Sequence, residues 1–170
     1  MRKLKISGIV NDSIVDGPGL RLTIFTQGCP HHCPGCHNPQ THPFKGGKKI
    51  SATKVIKEIA ESPLIFGVTF SGGEPFMQAK TLIPIARFVK AQGLEMACYT
   101  GFLFEELLSG KVPFARELLS YLDILIDGKF VISQKSLDLK FKGSKNQRTI
   151  DVQKSLQEGK AILSEDEKWK

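Results

Sequence analysis

No apolar run in this 170-residue chain approaches membrane-spanning length, which takes about 20 residues in a helix. The opening "MRKLKISGIVNDS" has basic residues but no apolar stretch behind them, so no secretory leader is expected. There is no internal repeat and no linker-like segment. These absences point to one soluble domain over 1–170, in the cytoplasm, with no membrane partner. In that compartment thiols stay reduced, so clustered cysteines are expected as metal ligands or catalytic groups, not disulfides. One further absence lies inside the cluster itself. The stretch "GCPHHCPGCHN" places Cys29, Cys33 and Cys36 in a C-x3-C-x2-C run, and the fourth cysteine, Cys98, stands far away in "LEMACYT". A closed structural metal site normally takes four ligands.

Acidic residues are in the minority, 17 against 24 lysines and arginines, giving a formal charge of +7 and a pI near 9.3. No motif of a known DNA or RNA module accompanies that excess, so no nucleic-acid partner is expected. The lysines of "KGGKK", "KFKGSK" and the polar tail read as a solvated surface, with docking onto an acidic protein as the alternative.

Strand and helix signals alternate. "LRLTIFT", Leu20 to Thr26, reads as a strand that runs into the cysteine loop. Ser51 caps a predicted helix through "ATKVIKEIAES", Val68 to Phe70 form a short buried strand ending at Gly72 and Gly73, and a helix is expected from Ala79 to Gln92 with Gly93 as its stop. Pro84 is tolerable only near that helix's first turn. "LEMACYT" is a strand, Phe104 to Tyr121 is helical with a break at "SGKVPF", and "DILID" is a strand. "QRTIDV" is a possible last strand and "SEDEKWK" a frayed tail. This order predicts an α/β fold with a parallel sheet and outer helices, whose motif loops share one rim. Too few units are present for a closed eightfold barrel, so an open, partial (β/α) barrel is expected.

The cysteine run admits two inorganic readings. One zinc could close with His31, His32, His37 or His42 as a fourth ligand. A 4Fe-4S cubane would instead keep one iron open, able to chelate a small molecule.

The cysteine run on the loop after a strand, followed by "SGGEP" on the loop after the next, resembles the radical S-adenosylmethionine superfamily. "VDGPGLRLTIFTQGCPHHCPGCHNP" is similar to the N-terminal region of the activating enzymes of glycyl-radical enzymes, and "YTGF", "LIDGKF" and "FKGSKNQR" resemble more closely those that serve anaerobic ribonucleotide reductase. The resemblance spans about 9–151 and leaves 152–170 as a tail. It implies that Cys29, Cys33 and Cys36 ligate three irons of a 4Fe-4S cluster and that S-adenosylmethionine chelates the fourth. Gly72, Gly73 and Glu74 would hold the methionine amine, through backbone and an acidic neighbour. Gly35, Cys36 and His37 would line the nucleoside side, and Asp127 and Lys129 would reach the ribose or methionine end. Two departures stand out: Gly35 replaces an aromatic found in many superfamily members, and Tyr99 stands where the pyruvate formate-lyase activator carries a cation-binding aspartate.

The implied reaction takes one electron from a flavodoxin or ferredoxin, cleaves S-adenosylmethionine reductively, and removes a glycine hydrogen from the large subunit of the reductase. No side-chain acid or base is needed, so no catalytic residue is expected beyond the ligands. The alternatives are activation of pyruvate formate-lyase or another glycyl-radical enzyme, and a non-catalytic zinc or iron-sulfur module. Cys98 is expected to be a small buried strand residue, and His31 and His32 polar loop residues. The D-G-P-G turn, Asp16 to Gly19, is expected to shape the mouth of the site. Arg21 and Arg148 face either water or an acidic partner loop.

Overall fold

The structure, a computed structural model, describes residues 3–170. Seven strands form one sheet: β1 (Lys3–Ser13), β2 (Arg21–Thr26), β3 (Lys48–Ser51), β4 (Gly67–Gly72), β5 (Glu95–Tyr99), β6 (Ile124–Asp127) and β7 (Arg148–Asp151). Their order is β3-β1-β2-β4-β5-β6-β7, so the sheet is open, with β3 and β7 at its edges. The helices are α1 (Ala52–Ala60), α2 (Ala79–Ala91), α3 (Phe104–Leu108), α4 (Ala115–Leu119) and α5 (Val152–Glu158). Among the described residues no helix is long and apolar enough to cross a membrane.

The expected parallel sheet is correct only for its centre. β2, β4, β5 and β6 pair in parallel. β1 and β3 on one flank and β7 on the other pair antiparallel. β1 runs antiparallel because the D-G-P-G turn reverses the chain directly into β2, too short a connection for a parallel crossover. The sequence reading assigned no strand there. β1 buries only Leu4, Ile6 and Ser13 along its eleven residues, so the alternation it relied on is weak.

In the parallel centre, period-two alternation divides the side chains between two layers. Leu22, Ile24, Val68, Phe70, Met96, Cys98 and Leu125 join the helix-side core with Val55 and Ile59 of α1 and Leu82, Ile85 and Val89 of α2. Ala97, Ile124 and Ile126 belong to a separate small cluster with Trp169, flanked by Tyr99 and Phe141. The α1 cap forms as expected, Ser51 accepting from Lys54 N. Pro84, expected in a first turn, sits in the second turn of α2. The carbonyl it leaves without a helical donor belongs to Lys80, an exposed residue.

The predicted frayed tail is also corrected. Glu167–Trp169 forms a 3₁₀ turn in which Asp166 accepts from Lys168 N, and Trp169 is 2% exposed. Its anchor is Arg21, itself 0% exposed. The guanidinium donates to Thr69 Oγ1 (2.8 Å), Pro18 O (3.0 Å) and Glu95 Oε1 (2.8 Å), while the Trp169 ring covers it at 5.5 Å. Trp169 Nε1 donates to the same Glu95 carboxylate at 3.3 Å. Gly17 makes room for this, since a Cβ there would meet the indole at 2.8 Å. Burial pulls the Arg21 pKa down against the opposing pull of Glu95. Arg21 therefore faces neither water nor a partner.

Removing the indole uncovers a buried charge and empties a packed site. Trp169→Ala should cost about 3 kcal/mol, lowering the melting temperature by roughly 6–12 °C for a chain of this size. Calorimetry of the variant checks this; an unchanged transition would mean the tail contributes nothing to the folded state.

Candidate active site

Parallel strands deliver their carboxyl ends to one edge. The loops after β2, β4, β5 and β6 accordingly meet there and line a cleft of about 380 Å³. Cys29, Cys33 and Cys36 form part of its wall, together with Gly72, Gly73 and Thr100. All three thiols are free. Their loop is shaped by its own backbone: Gly28 N donates to Thr41 O (2.7 Å), Cys29 N to His42 O (3.0 Å) and Cys36 N to Cys33 O (3.1 Å). Burial pushes the Cys29 thiol up, and the nearby Glu74 charge adds to that. Cys98 lies in the helix-side core, as expected, and its thiol is pushed well up by complete burial.

The glycine pair has a tighter purpose than ligand approach alone. A Cβ on Gly72 would meet Thr26 N at 2.4 Å, and one on Gly73 would meet Gly28 O at 2.4 Å. Gly73 N donates to Thr26 O and Glu74 N to Gly28 O, each at 2.8 Å. The β4 loop thus lies directly against the start of the cysteine loop.

Glu74 departs from its expected position. It is 0% exposed and does not line the cleft. Oε1 accepts from His31 Nε2 (2.7 Å) and Gly101 N (2.7 Å), Oε2 accepts from Phe76 N (3.1 Å), and Thr100 Oγ1 lies within 2.9 Å of both. Its carboxylate joins three loops. His31, expected as a polar loop residue, is the link from the cysteine loop, and its ring also meets Phe102 edge-on at 4.6 Å. A histidine two residues after the first cysteine was expected as a zinc ligand or a polar loop residue, and pairing with a buried carboxylate was not.

Of the remaining expected contacts, Cys36 and His37 line the cleft, with His37 5.2 Å from the Phe130 ring. Gly35 does not; a Cβ there would meet Ile132 Cδ1 at 2.5 Å, so it keeps the loop close to the segment after β6. Asp127 is buried, accepting from Phe104 N (2.8 Å) and from Arg148 (2.5 and 3.0 Å). Lys129 is exposed, and Gly128 and Phe130 line the cleft in place of these two. Arg148 bridges Asp127 and Glu105, which accounts for it without a partner loop. The hydrogen bond that Arg148 donates holds Glu105 below the usual carboxylate range. Tyr99 lines the cleft and donates to Phe141 O at 2.6 Å, and burial pushes its phenol up. Asp16 of the D-G-P-G turn reaches the cleft, accepting from Ser13 Oγ at 2.6 Å.

The four histidines are dispersed. His32 and His42 meet edge-on at 5.5 Å, while His31 and His37 have the partners just described. Among the described residues no three His, Cys, Asp or Glu side chains gather around one point as a single-ion site requires. Three thiols on one wall are the ligand number that a 4Fe-4S cluster with one open iron takes.

The "FKGSKNQR" motif closes the far wall. Gln147 Oε1 accepts from Gly143 N (2.8 Å) and Ser144 N (3.1 Å), while its Nε2 donates to Gly128 O (3.0 Å). Asn146 Nδ2 donates to Lys129 O (2.8 Å), and Val131 N donates to Ser144 Oγ (3.1 Å).

Replacing Glu74 by glutamine leaves one carbonyl oxygen for donors that now use two oxygens. The Glu74→Gln change should cost about 3 kcal/mol, and His31→Ala about 1 kcal/mol because it removes only one donor. Urea unfolding of the two variants tests that ranking; a neutral Glu74→Gln would refute the joining role.

A family described as a 4Fe-4S single cluster domain matches residues 15–150. The chain is 32% identical over 142 residues to the anaerobic ribonucleoside-triphosphate reductase-activating protein of Haemophilus influenzae, covering 79% of this chain and 89% of that one. Its counterpart in Escherichia coli K12 is 30% identical, with 79% and 90% covered. The pyruvate formate-lyase-activating enzyme of Clostridium pasteurianum is 41% identical over 101 residues, 56% of this chain and 42% of that one. Among solved structures, QueE from Escherichia coli is similar with a TM-score of 0.49 at 16% identity, covering 58% of this chain and 52% of that one. A match through most of the chain, with the cysteine loop and the glycine pair on one cleft, has one reading: the chain belongs to the 4Fe-4S single cluster domain family, among the radical S-adenosylmethionine activating proteins of glycyl-radical enzymes.

Proposed function

We propose that this chain, acting as a single domain in the cytoplasm, activates anaerobic ribonucleoside-triphosphate reductase by generating a glycyl radical on its large subunit. The observation that carries this reading is the convergence of Cys29, Cys33, Cys36 and the Gly72–Gly73 backbone on one cleft. Coverage favours the reductase over the lyase: the reductase activators match along nearly nine-tenths of their length, the lyase activator along 42% of its own.

The donor set fits the group the family implies. Soft thiolates suit a 4Fe-4S cluster, and three of them leave one iron for S-adenosylmethionine. When bound, this pair supplies a 5'-deoxyadenosyl radical after one-electron reduction, from a donor of flavodoxin or ferredoxin type. The chain's own residues supply placement. Cys29, Cys33 and Cys36 hold the cluster. The Gly72–Gly73 backbone admits the methionine end, and Cys36 and His37 form the nucleoside wall with Phe130. Gly35 and Glu74 act on the loops and not on the ligand, Glu74 by fixing the cysteine loop relative to the loops after β4 and β5. The open sheet, read as a partial (β/α) barrel, leaves a way in for a flexible glycine-bearing loop of the partner.

Anaerobic reconstitution should give a brown protein with about four irons per chain. Mixed with S-adenosylmethionine, a reductant and either partner enzyme, it should give a glycyl radical by electron paramagnetic resonance on the reductase. A signal on the lyase alone would assign the chain to the other partner, and a colourless protein with one zinc would remove the catalytic reading. Alanine at Cys29, Cys33 or Cys36 should abolish cleavage of S-adenosylmethionine, whereas Cys98→Ala should retain it.

A further inference from the structure

The positive charge is not evenly spread. Residues 129–147, the strap between β6 and β7, carry Lys129, Lys135, Lys140, Lys142 and Lys145 against a single acid, Asp138. Four of these lysines are exposed and Lys142 is half-buried. Among the described residues none of the five is in an ion pair. Unpaired charges of one sign on one segment repel each other, so the arrangement costs stability that an anionic neighbour would recover.

The strap also has a defined shape. A groove of about 710 Å³ is lined by Lys140, Lys142, Lys145 and Lys170 against one acid, Asp138, with Leu163 contributing. Leu139, Lys142 and Gln147 line both this groove and the active-site cleft, so one strap separates the two. Gln147, Asn146 and Ser144 clamp the strap through the hydrogen bonds already described, which prepares its shape in advance of any ligand.

The chemistry selects among anions. Phosphate recognition favours the arginine fork, and the one arginine in the groove, Arg148, is taken by Asp127 and Glu105. Stacking of bases needs an exposed aromatic face, and the groove's Trp169 is 2% exposed. What remains outward is an excess of lysine over one carboxylate, Asp138, together with leucine: Leu163 is 59% exposed, and Leu137 on the strap is 94% exposed. That combination suits carboxylates mixed with apolar side chains.

We infer that the lysine groove is a docking site for an acidic, apolar-containing polypeptide segment of the glycyl-radical partner, held beside the cleft its glycine enters. This rests on the reading of the chain as a reductase activator. Docking steers the partner electrostatically and fixes its approach from the β7 side of the cleft.

Binding of the reconstituted protein to the anaerobic reductase large subunit, followed by biolayer interferometry at low and high salt, tests the inference. Lys140→Glu with Lys145→Glu should weaken binding about tenfold or more and flatten its salt dependence, as expected when like charges meet across an interface. Lys48→Glu with Lys49→Glu on β3, an equal charge change elsewhere, should leave affinity within about twofold. Poly-L-glutamate should compete with the reductase for the wild-type protein at concentrations where heparin does not. Equal losses in the two double variants, or competition by heparin alone, would overturn the docking site. A thermal melt of each variant excludes misfolding as the cause, and Lys140→Gln with Lys145→Gln should show an intermediate loss. Failure of the underlying reading looks different: the wild-type protein, with S-adenosylmethionine and a reductant, would then give no glycyl radical on the reductase at all.

Discussion

The site depends on one buried carboxylate. Glu74 sits at 0% exposure, where an unpaired carboxylate would be strongly disfavoured. It is tolerated because its oxygens accept from groups on three loops, those after β2, β4 and β5. That requirement runs in both directions. Each loop satisfies part of the carboxylate, and the carboxylate fixes each loop against the others. The glycine pair just before it lets two backbones lie against each other, and any side chain there would meet backbone at 2.4 Å. The cysteine loop and the glycine turn are therefore one rigid piece, which a site that must place a cluster and a cofactor relative to each other needs.

A second ionic arrangement lies on β2 and β5. Arg21 and Glu95 flank the start of the parallel strands, at the end opposite the cleft. Thr69 accepts from Arg21 and donates to Asp16 O, which connects this end to the D-G-P-G turn. Asp16 in turn reaches the cleft. Trp169 closes the stack from the C-terminal segment and touches Phe141, ring to ring at 5.4 Å, and Phe141 lines the cleft as well. The far wall is thereby tied to the tail.

Much of this was legible in the sequence, and the failures have physical causes. The strand of Arg21–Thr26, the capped helix after Ser51 and the broken helix from Phe104 all rest on local signals, and each formed close to its expected bounds. The convergence of four motif loops followed from strand polarity alone. Long-range pairings were not legible. Trp169 reads as part of a polar tail because its partners, Arg21 and Glu95, lie about 150 and 75 positions away in the chain. Of the antiparallel flanks, β7 was expected as a possible last strand, whereas β1, with little alternation, and the four-residue β3 were not assigned. Glu74, Asp127 and Gly35 were assigned to the ligand by motif position, yet motif position does not reveal which way a side chain is spent. Glu74 and Asp127 are consumed by backbone amides and neighbouring side chains, and that is a property of packing.

The same distinction governs the strap. Its polar residues Ser144, Asn146 and Gln147 look like candidates for ligand contact, but their hydrogen bonds run to the backbone of Val131, Lys129, Gly143 and Gly128. Its lysines look like scattered solubilising charge, but among the described residues they are in no ion pair, while the arginine beside them is fully engaged. Polar groups that satisfy backbone are committed to shape. Charges left unpaired on a rigid support stay available for recognition. The strap therefore has two functions separated by residue type, with amides and hydroxyls building the wall of the cleft and ammonium groups facing what approaches it.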